Sequence, residues 1–132
     1  MFLLNRIDGG YVPAFEYLPA GTITPKIGMV LTQSSGKLAI ATGTTKPTYV
    51  SVVERSAALT DGEIIPVVRV SPNMVFETTF SADASAVTIG SKVTLHASNG
   101  GQVTATTSSG VAEIVAKEGT GESGDTCFVR FS

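Results

Sequence analysis

Apolar and polar positions alternate along most of the chain. After the turn Ser34-Ser35-Gly36, Leu38 and Ile40 alternate with Lys37, Ala39 and Ala41, which is the two-residue period of a strand with one buried face. With the apolar run before the turn, the stretch 26–43, KIGMVLTQSSGKLAIATG, predicts strand, tight turn and strand, Gly36 supplying a positive φ. TYVSVVE (48–54) and EIIPVVRV (63–70) are rich in β-branched residues and predict two further strands. Pro66 cannot donate to a ladder, so the second of these is expected at a sheet edge or at a bulge. NMVFETTF (73–80) puts Met74, Phe76 and Phe80 on one face and Val75, Glu77 and Thr79 on the other, as a half-buried strand does. No segment holds a 3.6-residue apolar stripe for three turns, so little helix is expected.

Much of this pattern occurs twice. Ile27-Gly28 matches Ile89-Gly90, and Leu31 with Gly36 matches Leu95 with Gly100. AIATG (39–43) resembles VTATT (103–107), YVSVVE answers EIVAKE, and PVVRV answers CFVRF. Gly28 and Arg69 are 41 positions apart, and Gly90 and Arg130 are 40 apart. Four blocks in one order at nearly one spacing predict two similar β units, about 26–70 and 88–131, with 71–87 crossing between them. A four-stranded sheet alone leaves an apolar face and raw edges. Two such units packed together bury those faces, so the fold class expected is all-β: a compact β-sandwich or barrel-like single domain over 23–132, preceded by an extended N-terminal arm, 1–22.

Composition narrows the function classes. Charged residues are only 15% of the chain, against 42% apolar residues and 14 glycines, the balance of a turn-rich β protein. The net charge of −2, with Lys and Arg scattered, offers no basic stripe, so nucleic acid is not an expected partner. The start, MFLLNRIDGG, lacks the continuous apolar core of a signal peptide, and no run approaches the roughly 20 apolar residues of a membrane span. A soluble chain made in the cytoplasm, with no membrane partner, is the expectation. Cys127 is the only cysteine and is expected on a buried strand.

The search for chemistry yields little. His96 is the single histidine, which excludes a multi-histidine metal site, and no G-x-S-x-G elbow accompanies it. The chain has no Trp and nine aromatics, poor material for the sugar-stacking cleft of a glycosidase. KEGTGESGD (117–125) is glycine-rich, but its spacing fits neither a phosphate-binding loop nor a calcium loop, and it reads as a hairpin loop. Glu54 with Arg69, and Glu118 with Arg130, stand at matching positions and are expected to pair across strands. No enzyme, cofactor or metal site is expected.

The N-terminal segment stands apart. Phe2, Leu3, Leu4, Tyr11, Phe15, Tyr17 and Leu18 concentrate there, with Pro13 and Pro19 keeping the chain extended. Such an arm either fills a gap in its own domain or docks on another chain by strand addition, with these seven residues as its anchors.

EYLPAG, PKIGMVL, GKLAIATGTTKPTYVSVVE, GEIIPVVRV and the closing GDTCFVRF, which together span nearly the whole chain, resemble the small β-rich capsid decoration, or cement, proteins of tailed bacteriophages and prophages. The resemblance implies a non-enzymatic virion protein on the outer capsid surface, partnered by the major capsid protein and often by itself as a trimer near a three-fold axis. It also implies that the N-terminal segment touches the capsid. The other class the sequence admits is a carbohydrate- or receptor-binding β module of a phage tail or baseplate, with Tyr11, Tyr17 or Tyr49 as the platform.

Overall fold

A computed structural model describes residues 1–10 and 12–132. The described residues form eleven strands and no helix: β1 (Leu3–Ile7), β2 (Glu16–Pro19), β3 (Val30–Ser34), β4 (Lys37–Ile40), β5 (Tyr49–Ser51), β6 (Ile64–Arg69), β7 (Met74–Phe80), β8 (Lys92–Val93), β9 (Gln102–Val103), β10 (Ala112–Lys117) and β11 (Thr126–Phe131). They make two sheets, one in the order β2-β6-β5-β3-β4, the other in the order β1-β7-β11-β10-β8 with β9 beside β7. The sheets pack on each other, so the fold is all-β and sandwich-like. The β3–β4 hairpin turns at Ser35 and Gly36, whose φ angles of 52° and 78° are those of the two-residue turn that matches strand twist.

The two sheets share one plan. In the first, Leu31 pairs with Tyr49 and Tyr49 with Arg69; in the second, Val93 pairs with Ala112 and Ala112 with Phe131. Ala20 faces Leu38 in parallel, and Phe80 faces Val103 in parallel, so each sheet curls until its first strand meets the strand of the returning hairpin. Gly28 donates its N–H to the Ser51 carbonyl and Gly90 to that of Ile114, both at a φ near +90° that favours glycine (85° and 94°). The repeat is therefore five strands long and begins earlier than the sequence indicates: β2 and β7 are counterparts. The segment 71–87 contains β7, and the segment 1–22 contributes β1 to one sheet and β2 to the other.

Pairing also corrects the match read from the sequence. Arg69 corresponds to Phe131 rather than to Arg130, a slip of one residue that exchanges the two faces of a strand. The expected ion pairs do not form, because each glutamate lies five residues along its chain from the position opposite the arginine, Tyr49 for Arg69 and Glu113 for Arg130. Arg69 pairs with Glu16 and Arg130 with Asp8, while Glu54 lies beyond the end of β5 and Glu118 lies at the far end of β10 from Arg130.

Pro66 is neither at an edge nor at a bulge. β6 lies between β2 and β5, but β5 stops at Ser51, opposite Val67, so Pro66 has a strand partner, Tyr17, on one flank only. Val70 donates to the Thr48 carbonyl, and the two-residue alternation of the backbone turns the Pro66 nitrogen to that same side, past the end of β5. β7, likewise, is more than half-buried, because Val75 on its second face is also fully enclosed.

Two apolar clusters hold the fold. The smaller gathers Leu31, Leu38, Tyr49, Leu59, Ile65 and Val67 within the first sheet's curl. The larger fills the second with Phe76, Phe80, Val93, Leu95, Ile114 and Phe131, and takes in Val30 and Val50 from the first sheet. Neighbouring residues such as Val30 and Leu31 thus serve different clusters, which is why the strands of the first sheet read as apolar runs rather than strict alternation. Cys127 is buried, and desolvation pushes its thiol up to about 12.

Candidate partner-binding surface

The seven anchors separate. Phe2 is fully buried, its ring 5.3 Å from that of Phe131, and it contributes about 1.5–3 kcal/mol by burial. Leu18 packs half-buried against the smaller cluster. Leu3, Leu4, Phe15 and Tyr17 are exposed, and Tyr11 lies outside the described residues. The arm is therefore built into its own domain at Phe2 and Leu18 and presents its remaining described anchors outward.

Local geometry explains the division. The Phe2 N–H donates to the Gly28 carbonyl at 2.8 Å, and a Cβ on Gly28 would stand 2.5 Å from the Phe2 carbonyl oxygen. Gly28 thus lets the start of β1 lie against the first sheet, while β1 itself pairs with β7 of the second. Residues 12–15 cross back over the same seam to β2. Between them opens an apolar groove of about 280 Å³, floored by Phe2, Val50, Val68, Met74 and Phe76 and rimmed by Leu3, Leu4, Val12, Phe15 and Ile27. Val12 is 80% exposed, the highest of these apolar side chains. The sequence does not single out Val12 or Ile27 as anchors; the repeat partner of Ile27, Ile89, is also exposed.

Beside this groove lies a second one of about 250 Å³, of mixed lining: Ile7, Gly10, Pro13, Arg69, Ser71, Asn73 and Met74. Arg69 is anchored there by two 2.9 Å bonds to Glu16 and a third, also 2.9 Å, to the Tyr49 hydroxyl. The hydrogen bond to Glu16, above all, raises the Arg69 pKa further.

The polar residues considered for chemistry are occupied by local structure. His96 Nδ1 accepts the backbone N–H groups of Ser98 and Asn99, each at 3.1 Å, and so ties the turn. Asp125 Oδ2 accepts those of Gly121 and Glu122, closing the 117–125 loop on itself. Among the described residues, no three His, Cys, Asp or Glu side chains gather as a metal site would require. The chain matches no protein-family model and no curated protein.

Proposed function

We propose that the protein is a capsid decoration, or cement, protein of a tailed-bacteriophage head, bound to the outer surface of the major capsid protein lattice and acting without catalysis. The observation that carries this reading is the apolar groove at the seam of the sheets, with Leu3, Leu4, Val12, Phe15 and Ile27 exposed around it. Clustered apolar side chains on an otherwise polar surface are the usual anchors of an interface. The resemblance of the chain to cement proteins supplies the partner.

The mechanism is one of binding free energy. A protein that touches two capsid subunits at once must lose its own contacts before they separate, and mass action stabilises the bound lattice. Each contact can be modest, because tethering at several points raises effective concentration. A trimer of the chain would present three such grooves to the lattice.

Co-sedimentation with undecorated capsids tests this. Deleting the arm is a poor probe, since it removes Phe2 from the core and β1 and β2 from the sheets. The triple variant Leu3→Ser, Leu4→Ser, Phe15→Ser alters exposed positions only. Wild type is expected to pellet with capsids saturably and the variant to remain largely in the supernatant; no pelleting by wild type removes the capsid, and equal pelleting removes the groove.

A further inference from the structure

We propose that the apolar face of β2 and β6 binds the same face of a second copy of this chain, a twofold contact made without the capsid. The inference comes from the repeat. Tyr17 pairs with Pro66 and Pro19 with Ile64, in the register in which Glu77 pairs with Phe128 and Thr79 with Thr126. Opposed residues share one face of a sheet, so each quartet occupies the same place in its own unit. In the second sheet that place holds a carboxylate, two threonines and a half-buried Phe128, and Gln102 reaches from β9 to donate to the Thr79 hydroxyl at 3.0 Å. It has the make-up of a wetted surface. In the first sheet the same place is apolar but for the Tyr17 hydroxyl, and Tyr17 and Ile64 are 66% and 61% exposed.

The open face continues a buried one. Val30, Val50 and Val68 stand opposite one another across β3, β5 and β6, and all three join the cluster that fills the second sheet. Pro66 and Ile64 follow Val68 on that face at the two-residue spacing of a strand, as Phe15 precedes Tyr17. Cover ends at Val68. The first sheet thus overhangs the second, and Phe15, which also rims the groove, is 54% exposed on the overhang.

The size of the strip suits a contact between two copies. At about 200 Å² for a fully exposed side chain of this size, Phe15, Tyr17 and Ile64 present roughly 350 Å², and Pro19 and Pro66 bring the strip to roughly 400 Å². A standard interface takes ~800 Å² from each partner, of which roughly 56–65% is apolar, or about 450–500 Å². The strip is close to the apolar share of one such interface.

Charge argues for a second copy as the occupant. None of the five residues is charged, and the Glu16–Arg69 and Lys37–Asp61 pairs beside them in the chain are closed within it. A twofold contact sets a patch against itself, which like charges would oppose and an uncharged strip allows. Leu3, Leu4, Val12 and Ile27 of the groove stay open to a further partner.

Sedimentation equilibrium of the full chain alone, from micromolar to millimolar concentration, tests this. Reversible association that closes at two copies is expected. The double variant Tyr17→Ser, Ile64→Ser should raise the concentration of half-association about tenfold or more, while Ile89→Ser, at an exposed apolar position outside the strip, should leave it unchanged. Amide shifts of wild type on dilution should centre on Phe15, Tyr17 and Ile64, a reading that does not depend on how the variants fold. A chain that stays monomeric at millimolar concentration, association that runs past two copies, equal loss with Ile89→Ser, or shifts centred on Leu3, Leu4 and Ile27 would each overturn the proposal and leave the capsid reading to its own test.

Discussion

Arg69 grips Glu16 through two parallel 2.9 Å bonds from β6 to β2, at the place where the second sheet sets Phe131 against Phe76, ring centroids 5.6 Å apart. One topology thus closes the same corner in two ways, with a solvent-facing ion pair in one unit and a buried aromatic contact in the other. The aromatic corner is reinforced by Phe2, which the arm brings to Phe131.

The two corners should differ sharply in cost. The Glu16–Arg69 side chains are 35% and 55% exposed, so Glu16→Ala is expected to lower stability by about 1 kcal/mol or less. Phe131→Ala empties a fully buried site and is expected to cost about 3–5 kcal/mol. Urea unfolding of the two variants checks the contrast.

The repeated glycines are predicted to diverge as well. Gly28 and Gly90 share a positive φ, so alanine is strained at both, by about 1–2 kcal/mol. At Gly90 a Cβ meets nothing within 4 Å, whereas at Gly28 it collides with the Phe2 backbone. Gly28→Ala should therefore destabilise more than Gly90→Ala, and should speed exchange of the β1 amides where Gly90→Ala does not.

Cys127 gives a pH signature. Its folded pKa, about 12, lies above the usual thiol value of 9.0, so between these limits the unfolded chain releases a proton that the native chain retains. Stability from this group is intact below pH 9 and falls as pH rises above it, by about 1.4 kcal/mol per unit at most. Cys127→Ala should remove that slope, and the native thiol should resist alkylation at pH 8 until the protein unfolds.

Much of the fold is legible in the residues. Ser35-Gly36 marks its hairpin because a two-residue turn demands positive φ locally, and Ile27-Gly28 with Ile89-Gly90 marks the repeat because the same backbone bond needs the same glycine. Register is not legible in this way. Arg69 looks like the partner of Arg130 by spelling, yet pairing across strands sets it opposite Tyr49 and equates it with Phe131. Pro66 reads as an edge signal because the early end of β5 is invisible locally. The arm was legible as apolar, but which of Phe2 and Leu3 goes inward depends on where Gly28 lies in space. The groove, made where two sheets and a crossing segment meet, has no contiguous trace in the chain.

The proposed capsid role requires that the protein add binding free energy between capsid subunits. Thermal disruption of undecorated capsids, followed by light scattering as the protein is added, tests it most directly. The expected disruption temperature rises with added protein, saturates at a fixed stoichiometry, and does not rise with the Leu3→Ser, Leu4→Ser, Phe15→Ser variant. A disruption temperature unchanged at saturating wild-type protein would contradict it.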